Sequence, residues 1–164
     1  PVDTTPGALR RDGFTAAVEA HPAVAHVAVA TEDFTIAAGY AAALRLLDRD
    51  DRPDAIVAAN DLIGIGVMRA AEDLGLSLPD DVAVTGVDNT ELADVVRPGL
   101  TSVDLGAEER GRVAAELLLA RIADPQRPAH RVTVSPSLVV RGSSAVAVRA
   151  QRPSENRPSE RSAG

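Results

Sequence analysis

The chain has 164 residues, a length typical of one domain, and 45% of them are apolar. It has no cysteine, which excludes disulfides and thiolate metal sites and is compatible with a reducing cytoplasm, and no apolar run approaches the roughly 20 residues of a membrane span. The formal net charge of −7 argues against nucleic-acid binding by this chain itself, because phosphate neutralisation needs clustered Lys and Arg.

The first half of the chain alternates predicted helices with short apolar strands. These elements are a helix over 7–20, a strand over 27–30, a helix over 37–47, a strand over 55–59, a helix over 62–74 and a strand over 82–86. Thr35 and Asn60-Asp61 stand where helix N-caps are expected, and Gly75 supplies a C-terminal stop. The alternation predicts an α/β fold with a doubly wound parallel sheet covered by helices on both faces.

After residue 86 the regular alternation ends. A long amphipathic helix is predicted over 107–122, followed by two short extended pieces over 131–134 and 138–141. From Gln151 onward the sequence is Pro, Ser, Glu, Arg and Asn with almost no apolar residue, and we expect a disordered tail over 147–164.

The predicted helix over 107–122 carries an apolar stripe that needs a sheet to cover it. Five residues recur at helical spacing along this stripe: Val113, Ala114, Leu117, Leu118 and Ile122. At about 25 cal/mol per Å² of apolar surface, a few hundred Å² left in water forfeits several kcal/mol. We therefore expect the isolated chain to aggregate or to remain partly unfolded if nothing covers this helix.

Two polar clusters follow predicted strands. Asn60-Asp61 comes after the strand over 55–59, and Asp88-Asn89-Thr90 comes after the strand over 82–86, so we expect the clusters side by side at one edge of the sheet. Asn offers donors and acceptors, and an Asp carboxylate accepts from two neighbouring hydroxyls, which suits a polyol such as a sugar. The same residue types are favoured caps and turn residues, so a purely structural role is the alternative.

Two further side chains are candidates for the same site. Arg10, in the first helix, has a guanidinium fork that suits an oxygen-rich ligand, although a solvated arginine is the simpler interpretation. Phe34 stands in a polar stretch and could stack on the apolar face of a sugar, with a role in the core as its alternative.

Signals for an enzyme are weak. The sequence has no G-x-S-x-G elbow, no P-loop and no H-E-x-x-H motif, and His21, His26 and His130 lie far apart. The acidic run over 48–54 lacks the spacing of a calcium loop. We therefore predict no catalytic residue, no metal site and no cofactor.

Three segments together resemble the sensing domain of LacI/GalR transcriptional repressors. They are PDAIVAAND (53–61), GIGVMRA (64–70) and PDDVAVTGVDN (79–89), and further matches are RRDGF (10–14), PGLTSV (98–103) and LVVRGSS (138–144). The resemblance covers about residues 3–146. It implies a fold of the type I periplasmic-binding-protein class, in which two α/β lobes close over an effector and closure alters how a dimer presents helix-turn-helix heads to an operator.

The resemblance also implies roles for four residues. Arg10 would clamp ligand oxygens, Asn60 and Asp88 would hydrogen-bond sugar hydroxyls, and Phe34 would stack on the ring. The predicted function is therefore that of a sugar-sensing domain in a cytoplasmic, homodimeric repressor without enzymatic activity or a membrane partner. The alternative is the sugar-binding component of an ABC transporter, which shares the fold.

Finally, the resemblance implies a division of the chain into parts. Residues 1–146 are expected to be a partial effector-binding domain, with a C-terminal lobe over 1–104 and 135–146 and an excursion over 105–134 into an incomplete N-terminal lobe. The DNA-binding head, the hinge helix and most of the N-terminal lobe would precede Pro1, so operator DNA would be contacted only through that missing head. The Thr4 position departs from purine-sensing members, which favours a sugar as the effector.

Overall fold

A computed structural model of the chain describes residues 4–145, so the predicted tail over 147–164 lies outside the described residues. The helices are α1 (Thr5–Glu19), α2 (Ile36–Leu47), α3 (Asp61–Asp73), α4 (Glu91–Val95) and α5 (Ala107–Ala123). The strands are β1 (Ala55–Val57), β2 (Ala83–Val87), β3 (Thr101–Asp104) and β4 (Ser137–Val139). None of these described helices is long and apolar enough to cross a membrane.

The four strands form one sheet in the order β1-β2-β3-β4. The first three are parallel neighbours, which confirms the predicted α/β fold with a mostly parallel sheet. β4 pairs with β3 in the antiparallel direction, with Asp104 opposite Ser137. The chain thus leaves the sheet at the end of β3, passes through α5, and returns beside the point where it left.

The predicted helix boundaries follow from local capping. Thr35 Oγ1 accepts a hydrogen bond from the Ala38 N–H at 3.2 Å, and Gly75 adopts a φ of 72° after α3, as the sequence predicts. α1 begins two residues before the predicted Gly7, because the side chain of Thr4 caps it and Pro6 fits the first helical turn.

The core lies between the sheet and the packed pair α2 and α3. Glycines permit the close contact of these two helices: a Cβ on Gly66 would lie 2.2 Å from the Ile36 carbonyl oxygen, and a Cβ on Gly39 would lie 2.4 Å from that of Ile63. The fully buried Leu100 and Val84 are among the residues that complete this core. The packing fixes the N-terminus of α3 against the ends of β1 and β2.

The predicted strand over 27–30 is wrong. These residues are exposed and form no strand, and Val27 and Val29 are among the exposed apolar side chains. In a βαβ unit the strand after a helix pairs with the strand before it, and within residues 4–145 no strand precedes α1. The segment does not pair with β1 either, although β1 is the end strand of the sheet, and it stays irregular. Residues 131–134 likewise form no strand, whereas the predicted piece over 138–141 contributes to β4.

α5 matches its predicted length within one residue but packs little. It has no buried residue, and Leu118, Leu119 and Ile122 are 60%, 65% and 67% exposed. The apolar stripe predicted for this helix is therefore largely uncovered. Sequence reasoning did not predict α4 or β3, which are only 5 and 4 residues long.

Candidate functional site

The loops that follow β1 and β2 meet at one edge of the sheet, as their parallel pairing requires. The first of these loops leads through Asn60 into α3, and the second contains Asp88, Asn89 and Thr90. The two are in direct contact, because the Thr90 N–H donates to Asp61 Oδ2 at 2.7 Å. The predicted juxtaposition of the two polar clusters is thus confirmed.

Arg10 links both loops from α1. Its Nη1 donates to the Ala59 carbonyl at 2.6 Å, and its Nη2 donates to Asp88 Oδ1 at 3.0 Å. The two side chains of the ion pair are 26% and 36% exposed, so each remains accessible to a small molecule. A guanidinium and a carboxylate held this way present a donor and an acceptor at the end of the sheet, which is the chemistry that recognises vicinal hydroxyls.

The electrostatic environment of Asp88 is unfavourable for its charge. Partial burial raises the pKa of this carboxyl above its usual value, and the nearby Asp61 raises it further. The positive charges of Arg10 and Arg110 lower it, but they do not outweigh the loss of hydration. A ligand hydroxyl that donates to this carboxylate would replace a hydrogen bond to water that burial removes, and would so stabilise its charge.

Asn60 has a structural role that the sequence left open. Its Oδ1 accepts a hydrogen bond from the Ile63 N–H at 2.9 Å and so caps α3, and the residue is buried. The amide nitrogen of Asn60 has no hydrogen-bond partner within residues 4–145, although none of their fully buried side-chain polar atoms is unsatisfied. Capping therefore uses the oxygen and leaves the nitrogen available as a donor.

Phe34 is not part of the hydrogen-bonded cluster of Arg10, Asp88 and the two loops. It precedes the cap of α2, is partly exposed, and packs against the hydrophobic core. The structure thus shows the core contact that the sequence analysis gave as the alternative, and the residue as a whole is partly buried.

Asp104 and Arg141, to which the sequence analysis gave no role, hold the loop over 88–90 through Asn89. Asn89 Nδ2 donates to Asp104 Oδ2 at 3.1 Å, and its Oδ1 accepts from Arg141 Nη2 at 2.8 Å. Arg141 also donates to the Leu100 carbonyl at 2.8 Å. These contacts join residues up to 52 positions apart, so no local sequence signal reveals them.

A cavity of about 440 Å³ lies elsewhere, between α3 and the segment over 96–98. Its lining includes Ile65, Met68 and Pro98, and none of the four predicted site residues. The strand-end cluster, by contrast, is an accessible surface on which Arg10 and Asp88 are both partly exposed. Polar groups that converge at the ends of parallel strands are the stronger indication of a ligand site.

Comparison with known proteins gives one family match. The family described as periplasmic binding protein-like domain matches residues 1–144. The ribose operon repressor of Escherichia coli K12 is 35% identical over 144 residues, which are 87% of this chain and 44% of the repressor. The chain therefore spans less than half the length of this relative.

Two solved structures show the same relationship in three dimensions. The transcriptional regulator CelR in complex with cellobiose is 36% identical with a TM-score of 0.77, over 87% of this chain and 44% of CelR. A LacI family transcriptional regulator from Enterococcus faecium with bound ribose is 29% identical with a TM-score of 0.75, over 83% of this chain and 50% of that protein.

Proposed function

This chain belongs to the periplasmic binding protein-like domain family, in the form found in LacI-family transcriptional regulators, and we propose that it senses a sugar for such a regulator. The observation that carries the proposal is the Arg10–Asp88 pair at the ends of β1 and β2. The relatives reported above are transcriptional regulators, two of them in complex with a sugar. This favours sensing over transport or catalysis.

Each predicted residue has a definable part in the proposed site. Asp88 accepts hydrogen bonds from ring hydroxyls, Arg10 donates to ligand oxygens, and the amide nitrogen of Asn60 donates to a further hydroxyl while its oxygen caps α3. Phe34, which is partly buried, is assigned to stack its ring on the apolar face of the sugar.

In the complete regulator, we propose, sugar binding alters the operator affinity of a cytoplasmic homodimer. The net charge of −7 makes this chain a poor ligand for DNA, so operator contacts are assigned to other parts of the protein. Residues 105–134, which include the exposed α5, are assigned to a second lobe that closes over the effector.

Isothermal titration calorimetry with ribose, cellobiose and lactose tests the proposal on the protein at its natural length. At least one of these sugars should bind, and replacing Arg10 with Met should weaken that binding at least tenfold. Replacing Arg49 with Met is the matched control, because Arg49 also pairs with an aspartate but on the exposed loop after α2. The absence of binding by all three sugars, or equal effects of the two variants, would contradict the proposed site.

Asn60→Asp separates the two roles of Asn60. Aspartate caps helices about as well as asparagine, so the stability of the fold should be retained. The variant has no amide donor, so the affinity for the sugar should fall. A variant that binds as well as the wild type would leave Asn60 with the capping role alone.

A further inference from the structure

Asp61 is the only fully buried carboxylate among the described residues, and three donors surround it. Its Oδ1 accepts from Ser102 Oγ at 2.5 Å, while its Oδ2 accepts from the Thr90 N–H at 2.7 Å and from Thr90 Oγ1 at 3.0 Å. It is also the first residue of α3, where the helix dipole favours a negative charge. These interactions compensate the cost of burying the group.

Two of the three donors belong to Thr90, in the loop that carries Asp88, and the third, Ser102 Oγ, accepts from Asn89 of the same loop. Asp88 and Asn89 have φ values of 107° and 48°, a region that residues other than glycine seldom adopt. The three successive N–H groups of this loop are all bonded: Asp88 to the Val103 carbonyl, Asn89 to Ser102 Oγ and Thr90 to Asp61, at 2.9, 2.9 and 2.7 Å. Asp61 binds the last of these groups directly and the second through the Ser102 hydroxyl.

The end of β2, at Gly86, lies in close contact with the Asp61 carboxylate. A Cβ on Gly86 would lie 2.4 Å from Asp61 Oδ1, so the carboxylate lies directly against the backbone at the end of β2. The positions of Asp61, Ser102 and the loop over 88–90 are therefore coupled. A shift of the carboxylate changes the backbone to which the Asp88 side chain is attached.

We infer that Asp61 is a positioning residue for the effector site, acting through Ser102 and Thr90 to hold Asp88 in its ligand-binding conformation. This inference rests on the proposed function, since it is for sugar binding that the conformation of Asp88 matters. Asp61 itself does not touch the ligand, because its side chain is fully buried behind the loop and its hydrogen bonds are all internal. The role follows from geometry that joins three separate parts of the chain.

Asp61→Asn tests the inference with little change in shape. One carboxylate oxygen becomes an amide nitrogen that cannot accept from the Ser102 hydroxyl, and the charge that strengthens the remaining hydrogen bonds to Thr90 is lost, so the loop should be held less tightly. Hydrogen exchange of the amides of residues 88–90 should accelerate at least tenfold in the natural-length protein. Ser102→Ala should have the same local effect, which provides a second variant if the first folds poorly. Unchanged exchange in both variants would overturn the inference.

A double-mutant cycle then connects the loop to binding, with ribose, cellobiose and lactose as the probes. Asp61→Asn should reduce the affinity at least tenfold in the wild-type background and by less than twofold in the Asp88→Ala background. Met68→Ala, a core change on the same helix, should lower stability without changing affinity. Equal losses in both backgrounds would show a merely structural role. If the wild type binds none of the sugars, the proposed function fails, and the exchange measurement still decides whether Asp61 holds the loop.

Discussion

Replacing Asp88 with Asn should weaken sugar binding without weakening the fold. Asparagine has nearly the shape of aspartate and tolerates the positive φ of 107° at this position. The substitution removes the negative charge and turns one acceptor oxygen into a donor. The affinity and the stability of the fold should therefore respond in different ways.

The loss of affinity can be estimated from the hydrogen bonds. A bond to a charged partner is worth about 1.5–3 kcal/mol when one side is removed, so losing one acceptor should weaken binding about 10- to 150-fold. Asp88→Ala removes both acceptors and leaves hydroxyls of the bound sugar unpaired, for which we expect a loss of about 2–4 kcal/mol.

The stability of the fold should be unchanged or slightly higher. The Arg10–Asp88 pair is partly exposed, and such pairs contribute about 0–1 kcal/mol. Burial and Asp61 raise the pKa of Asp88 in the folded state, so above that pKa the ionised side chain opposes folding. Asparagine carries no charge and escapes this cost.

Calorimetry with the bound sugar and urea denaturation measure the two quantities on the same preparations. Asp51→Asn, which affects an exposed ion pair in the loop after α2, is the control for a charge change alone. The reasoning would be refuted by a variant that binds the sugar normally and loses more than about 1 kcal/mol of unfolding free energy, since Asp88 would then serve the fold.

Three further outcomes are expected. Sugar affinity should fall as the pH is lowered through the raised pKa of Asp88, beginning above the usual aspartate range, and calorimetry should find this dependence absent in Asp88→Asn. Gly66→Ala should cost about 1–3 kcal/mol in urea denaturation because its Cβ has no room, whereas Gly13→Ala, with nothing within 4 Å, should stabilise α1 by about 0.5–1 kcal/mol. Residues 1–164 alone should aggregate, as measured by light scattering, and replacing the exposed Leu118 and Leu119 with Gln should reduce the aggregation. In a gel-shift assay the same chain should show no sequence-specific binding to operator DNA.

Each of these three predictions would be contradicted by a specific result. A pH profile that is the same in the wild type and in Asp88→Asn would place the titrating group elsewhere. Equal stabilities of Gly66→Ala and Gly13→Ala would mean that α2 and α3 are not in close contact. A monomer of residues 1–164 that melts cooperatively would show that the exposed face of α5 is tolerated in water.

The features that the sequence predicted are those with local causes. Thr35, Asn60 and Gly75 act within one helical turn of their own positions, so residue type and spacing were enough to place them. The meeting of the Asn60 and Asp88 loops was also predictable, since parallel strands joined by a helix bring their carboxyl ends to one edge.

The features that escaped prediction depend on partners distant in sequence. The apolar residues over 27–30 have the composition of a strand but do not pair with β1, although β1 is the end strand of the sheet, and composition alone does not reveal whether a pairing forms. The contact of Ser102 with Asp61 spans 41 positions, and that of Arg141 with Asn89 spans 52. Aspartate at the start of a helix predicts a cap or a charge near the dipole, so the buried role of Asp61 has no distinct sequence signal.

Because β3 and β4 pair in the antiparallel direction, the segment between them, residues 105–136, can be deleted without separating the two strands. Asp104 lies opposite Ser137, so the two ends of residues 105–136 are neighbours that a hairpin loop of about two to five residues can join. Excision would take away the exposed apolar side chains of α5 and no buried residue of that helix, while Asp104 would keep its hydrogen bond to Asn89. The shortened lobe would be a smaller scaffold that still contains both Arg10 and Asp88.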